Sequence, residues 1–336
     1  MKIQWYPGHM TKAVRNMQQD VKIVDLIIEM VDARAPLSTR NPEIDALGRG
    51  KGRIVIMNKV DMADPAASAA WKAYYTAQGW ECLTMDSRRR ADIKELSSAM
   101  DRALAEKRER DKKRGILNRP VRAMVAGIPN VGKSTLINTI AGKSAAKTGN
   151  KPGVTRGNQW IRLNKNIELL DTPGITWPKF EDEHTGDMIA YIGSINDMIV
   201  NTQELALSMG AYLLEHAPDK LEKCYGYVSR NGAGAADECL PDDCVSQAGI
   251  LSAGDIIAGM TPEDRKAWEL IGCIARNRGC LAKGGEPDYE KAEAILINDF
   301  RSGKLGRITL ELPPSQPDVP DATDKVKTPD TGEKTC

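Results

Sequence analysis

Residues 121–134 read Val-Arg-Ala-Met-Val-Ala-Gly-Ile-Pro-Asn-Val-Gly-Lys-Ser. The opening residues, 121–127, form a strand candidate, and Gly127 to Ser134 fits the pattern G-x-x-x-x-G-K-[ST], with a helix expected after Lys133. Glycines at both ends let the backbone turn tightly, so that successive N–H groups and the start of the helix face one point, where a phosphate is held. In the run Asn130, Val131, Gly132, Lys133, Ser134 and Thr135, Lys133 is placed to neutralise β- and γ-oxygens and Ser134 to ligate Mg²⁺. Such a loop belongs at the carboxyl end of a strand in a doubly wound α/β sheet, which sets the fold class as a P-loop NTPase.

Two further motifs surround this loop. Downstream, Asp171-Thr-Pro-Gly174 closes the strand candidate Ile167 to Leu170. An aspartate there reaches Mg²⁺ through water, and the Gly174 N–H bonds a γ-phosphate whose loss releases the segment. Upstream, Asn58-Lys59-Val60-Asp61 follows the apolar run Ile54 to Met57. A carboxylate at Asp61 accepts hydrogen bonds from guanine N1 and the 2-amino group, donors that adenine lacks, while Asn58 and Lys59 fix the ring and the loop. GTP and GDP are therefore the expected ligands.

The rest of the chain supports this frame. Residues 23–32 form a buried-strand pattern ending in Asp32, and Trp80 to Thr84 and Gln159 to Leu163 are further strand candidates, with helices at about 65–78 and 92–110. Beyond Pro178 helical patterns dominate, at roughly 184–215, 262–277 and 288–301. The expected organisation is thus a GTPase domain at 1–178 and a smaller, mainly α-helical domain at 179–312. Residues 229–254, rich in Gly, Ala, Asp and Ser, read as an insertion, and 313–336 as a disordered tail.

Charge and cysteine content exclude other classes. A net charge of +1 over 336 residues is no whole-chain signature of a nucleic-acid binder. Local basic runs remain: the segment Arg102 to Arg122 carries nine Lys or Arg against three acids, and reads either as a solvated connector or as a surface touching phosphate backbone. Seven cysteines form no C-x-x-C pair, which argues for reduced thiols, and no apolar run is long enough for a bilayer. A cytoplasmic protein with no membrane partner is expected, and a monomer.

The motif order NKVD, GIPNVGKS, PGVT and DTPG resembles the circularly permuted group of translation-factor-like GTPases, in which the guanine-reading segment precedes the phosphate loop. Trp5-Tyr-Pro-Gly-His9-Met10, Asp32-Ala-Arg-Ala-Pro36, Trp177-Pro-Lys-Phe180, Arg278-Gly-Cys280 and Arg301-Ser-Gly-Lys-Leu-Gly306 resemble the bacterial ribosome-assembly GTPases of the RbgA (YlqF) type. The likeness covers residues 1–228 and 261–312. It implies that Thr155 completes the Mg²⁺ shell, and that Asn130 matches the asparagine of potassium-stimulated relatives, adding K⁺ to the cofactors. Ile175 stands where Ras-like proteins place a water-orienting glutamine, and the family proposes His9 as the replacement. By its residue type alone His9 could equally be structural or face RNA. Thr84-Met-Asp-Ser87 occupies the place of the remaining guanine-side motif without its usual Ser-Ala, leaving a contact from Ser87 only.

The resemblance further implies a factor that binds the precursor of the large ribosomal subunit and its rRNA with GTP, promotes a late assembly step, and leaves after hydrolysis. Arg276, Arg278, Lys283 and Arg301, Lys304, Arg307 are candidate rRNA contacts or ordinary surface charge. Two other readings stand beside this one: a GTP-dependent RNA- or protein-binding scaffold with little hydrolysis, and a small-molecule phosphotransferase. The latter needs a catalytic carboxylate near the loop that the sequence does not offer.

Overall fold

A computed structural model of the chain describes residues 15–116, 119–142, 159–162, 167–174, 183–227, 260–282 and 284–314. His9, Thr155, Ile175, the 177–180 segment, the 229–254 insertion and residues 315–336 lie outside the described residues. The strands are β1 (Leu26–Asp32), β2 (Gly52–Asn58), β3 (Glu81–Met85), β4 (Val121–Ala126), β5 (Gln159–Arg162) and β6 (Ile167–Asp171). They form one sheet in the order β3-β2-β1-β4-β6-β5, parallel throughout except for β5, which pairs antiparallel with β6 at the edge.

Every residue of β1 is buried, as a central parallel strand covered on both faces must be. Alternation divides its side chains: Leu26, Ile28 and Met30 join one core with Ile54 and Ile56, while Val31 joins Val55 and Met57 on the other face. There Trp71 and Tyr75 of α2 (Pro65–Ala77) cover the sheet. Asp64 caps that helix, its carboxylate accepting from the Ala67 N–H at 2.9 Å, and Pro65 occupies the first turn, where no donor is lost. A short helix, α1 (Pro42–Leu47), precedes it.

The expected helix at 92–110 is two helices, α3 (Ile93–Ala103) and α4 (Ala105–Lys113). The break falls at Leu104, whose buried side chain reaches the core while its backbone leaves helical geometry. After α5 (Lys133–Ala141), the expected 184–215 helix is likewise split into α6 (Glu183–Tyr191) and α7 (Thr202–His216). Gly193 takes a positive φ of 76° between them, and the Asn201 side chain accepts from the Gln203 and Glu204 N–H groups to restart the helix. Then follow α8 (Pro218–Tyr225), α9 (Pro262–Asn277) and α10 (Tyr289–Arg301).

The apolar core runs without a gap from the sheet into these helices, from Met30 and Val125 to Leu213, Leu270 and Leu296. Beyond α10 the chain returns to the sheet. Ile308 N–H donates to Met62 O (3.0 Å), Leu310 N–H to Arg34 O (2.7 Å), and Trp71 Nε1 to Glu311 O (2.8 Å). The Glu311 carboxylate is buried and accepts from the Leu37 and Ser38 N–H groups and the Ser38 hydroxyl. Among the described residues no helix is long and apolar enough to cross a membrane.

Glu293 of α10 is only 5% exposed, and burial, with Glu290 adding repulsion, pushes its carboxyl up to about 7. Its folded-state value lies above the unfolded one, so the penalty is absent at low pH and grows as pH rises from about 4.5 through 7. Glu293→Gln is expected to stabilise the protein by about 1–2 kcal/mol at pH 8 and to leave it unchanged at pH 4.5, read by thermal unfolding at both pH values.

Candidate functional site

β1, β2, β3, β4 and β6 all end at one edge of the sheet, because Asp32 pairs with Asn58, Asn58 with Met85, and Val125 with Asp171. The loops leaving that edge carry the motifs, as expected for a parallel α/β sheet. Gly127 sits at φ 147°, and a Cβ there would overlap the Met30 carbonyl, so only glycine permits the turn beside β1. Asn130 and Gly132 also take positive φ, 61° and 106°, which curls the loop ahead of the first turn of α5.

Lys133 is buried, and its Nζ donates to the carbonyls of Gly127 (3.0 Å) and Ile128 (2.8 Å). Burial draws its pKa down to about 8, against the pull of Asp171. Asp171 is buried as well. Burial pushes its carboxyl up to about 6, while Lys133 and a hydrogen bond with Ser134 act the other way. Among the described residues its Oδ1 has no hydrogen-bond partner. A buried, unpaired carboxylate oxygen beside the Ser134 hydroxyl is the hard-oxygen donor set that suits Mg²⁺, completed by phosphate and water. Gly174 closes against the loop: a Cβ would fall 2.7 Å from the Pro129 backbone.

The guanine-side motif reaches the same loop through Asn58. Its Nδ2 donates to Val131 O (2.6 Å), and its Oδ1 accepts from the Ser87 N–H (2.8 Å), all three residues being buried. Added bulk at Gly132 would overlap the Asn58 amide. Ser87 thus joins the cluster through its backbone N–H. Lys59 adopts a left-handed φ of 61° and sends its Nζ to Asp32 Oδ2 at 2.8 Å. Asp61 points outward and pairs with Arg88 (2.7 Å), whose guanidinium also grips both oxygens of Asp86. The Asn130 amide donates to Gly193 O (2.7 Å), tying the phosphate loop to the turn after α6.

The structure adds a buried ion pair, Asp32 with Arg34, and one further side chain, to which no role was assigned from sequence. Asp32 is fully buried, and burial opposes its charge, but Arg34 and Lys59 outweigh this and hold its carboxyl far below the ordinary range. Arg34 contacts both Asp32 oxygens (2.9 and 2.8 Å), sits over the Phe300 ring, and reaches Arg301 O at 3.4 Å. The signal was present in the sequence as a charged pair, Asp32 and Arg34, ending an apolar run. The further side chain is Arg88, which nothing in its local pattern distinguishes from Arg89 and Arg90.

Comparison with known proteins agrees with this geometry. A ribosome biogenesis GTPase A of Bacillus cereus is 41% identical over 313 residues, covering 93% of this chain and 95% of the relative. The chain belongs to the ribosome biogenesis GTPase A family. A Thermotoga maritima member is 28% identical over 93% of the chain, and residues 122–223 match the model of the 50S ribosome-binding GTPase family. The crystal structure of GNP-bound YlqF from T. maritima is similar in fold, with a TM-score of 0.55 and 25% identity, covering 90% of this chain and 98% of that one. A GDP-bound YlqF structure scores 0.56 at 24% identity, a likeness of fold alone. As in this family, the guanine-side motif precedes the phosphate loop in the chain, and the six-stranded sheet is a circularly permuted GTPase fold followed by helices.

Asn58→Ala removes both bonds and leaves the Val131 carbonyl and the Ser87 N–H unpaired in a buried setting. The variant is expected to lose about 1–3 kcal/mol of stability without nucleotide, read by denaturant unfolding.

Proposed function

We propose that this chain is a GTP hydrolase that binds the immature large ribosomal subunit, promotes a late assembly step and leaves after hydrolysis. One observation carries the nucleotide reading: Asn58, three residues before Asp61, is hydrogen-bonded to Val131, two residues before Lys133. Two segments coded in inverted order therefore serve opposite ends of one ligand, Asp61 reading guanine and the 127–135 loop holding phosphate. Asn58, Lys59 and Ser87 shape the base end; Asn130, Val131, Gly132, Lys133, Ser134, Thr135 and Gly174 serve the phosphate end. Mg²⁺ belongs to Ser134, Thr155 and Asp171, and K⁺ to Asn130.

The hydrolytic step follows from the residues at hand. Lys133, buried at the end of the loop, would stabilise charge that develops on the β–γ bridge. Ile175 cannot orient water, so we assign the role to His9, with Thr155 completing the Mg²⁺ shell. Slow turnover by the free protein and acceleration on the large subunit follow from that division. Loss of the γ-phosphate frees the Gly174 N–H, and the chain beyond Asp171 leads directly into the helices at 183–301, the output arm. The members' family name and the 50S ribosome-binding family match support the ribosomal partner. A monomer acting in the cytoplasm, with its GTPase part at 1–178 and its helical part at 179–312, completes the reading.

Two measurements test it. Asp61→Asn exchanges a pure acceptor for a donor and an acceptor, which suits xanthine; GTP affinity is expected to fall at least about 100-fold while XTP affinity rises. Unchanged guanine preference would overturn the base assignment. GTP turnover is expected to rise at least about tenfold with purified large subunits at matched potassium, and His9→Ala or Thr155→Ala to abolish the rise while keeping nucleotide bound. Equal turnover with and without subunits would leave a binding scaffold instead.

A further inference from the structure

The strands enter the sheet at the pole opposite the motif loops, and that pole concentrates cations and exposed apolar side chains. Residues 102–122 hold nine basic side chains against three acids in a chain whose total charge is +1, so the positive charge is gathered here. None of the nine residues of α4 is buried, so packing does not explain the helix. One cavity, of about 170 Å³, runs between α4 and the start of β1 and is lined by Lys51, Lys107, Arg110 and Arg114 with Asp25 and Asp111. Asp25 is the anchor of this wall, meeting Lys107 (3.2 Å), Arg119 (3.3 Å) and the Arg122 N–H (3.1 Å). Arg110 and Arg114 make no ion pair among the described residues and stand exposed at the rim.

A second cavity, of about 270 Å³, begins at Ile23, two residues from Asp25, and is lined by Arg122, Trp160, Arg162 and Glu168. Trp160 is 39% exposed and Ile23 46% exposed. The Arg122 guanidinium lies 5.5 Å from the Trp160 ring while pairing with Glu168 at 3.1 Å. Trp160 and Arg162, two residues apart on the edge strand β5, share one face of the sheet.

We propose that this pole and the adjoining edge strand form an RNA-docking surface, in which the α4 cavity takes phosphate backbone and Trp160 stacks an unpaired base whose phosphate meets Arg162. An acidic protein would satisfy the cations equally, but it gives no use for an exposed indole flanked by two arginines, the arrangement that takes a base and its phosphate together. The inference rests on the RNA-bound reading above and names where on the GTPase part that contact lies: the α4 cavity beside the start of β1, and the edge strand β5, where Trp160 lies level with Leu170 and Arg162 with Glu168.

The test uses the full chain with fluorescein-labelled single-stranded oligouridine and a labelled RNA duplex in anisotropy titrations over a salt series. Arg110→Glu with Arg114→Glu is expected to weaken both probes at least about tenfold and to lower the salt slope by between about 1 and 2. Trp160→Ala is expected to weaken the single strand about tenfold and to spare the duplex. Unchanged thermal unfolding and GDP affinity certify the fold in both variants. Parent-like affinity for both probes overturns the proposal; if co-sedimentation with large subunits then falls, the surface takes protein instead. A parent that binds these probes but fails to sediment with large subunits overturns the ribosomal reading and leaves this surface to be judged by the variants alone.

Discussion

One side-chain amide holds the two halves of the site together. Asn58 is the last residue of β2, and its two hydrogen bonds join the loop after β2 to the loop after β4 and to the loop after β3. Register makes this reach possible, since β2 ends level with β1 and β3 at the same edge. A shorter or apolar side chain would leave two backbone groups buried without partners, and the spacing between the loop that carries Asp61 and the loop that carries Lys133 would no longer be fixed by this bond. In a permuted chain this matters more than usual. Sequence adjacency does nothing to keep Asp61 and Lys133 in step, so the bond across 73 residues of chain must do it.

A second tie runs from the same loop into the helices. Lys59 is held by Asp32, Asp32 is gripped by Arg34, and Arg34 reaches Arg301 and Phe300 at the end of α10. The strap from Ile308 to Glu311 lies over the same place, bonding Met62, Arg34 and Ser38. Charges this deeply buried cost desolvation, and the cluster holds only because every member has a partner; its value lies in fixing one arrangement of the base loop. The helices beyond residue 183 are thus joined to the sheet at the base end as well as at the phosphate end, where Asn130 meets Gly193.

What could be read from the sequence follows from how local its causes are. The phosphate loop was legible because glycines at Gly127 and Gly132 answer to backbone geometry that no other residue supplies, and the strands because full burial imposes continuous apolar runs. The helix breaks at Leu104 and near Gly193 were not: past Leu104 the charged, helix-favouring residues of α4 follow with no glycine or proline to mark a stop, and past Gly193 the apolar spacing resumes through Ile195 and Ile199. The strap was illegible for a different reason. Residues 308–311 carry no motif, and their meaning lies in partners more than 230 positions away. Arg88 was missed because three successive arginines look alike until one is placed between Asp61 and Asp86.

The electrostatics of the phosphate end suggest why such a site doubles as a stability element. Lys133 and Asp171 are both drawn toward neutrality by burial, and the attraction between them does not restore either to its ordinary value. Each would regain favourable surroundings from the ligand proposed above, the ammonium from phosphate oxygens and the carboxylate from a hydrated cation. Binding energy is then drawn partly from relieving two disfavoured charges, so ligand affinity and fold stability are linked through the same pair. That linkage fits a site placed between the sheet and helices that share its core, because whatever strengthens the Lys133–Asp171 region also firms the base from which the chain enters α6.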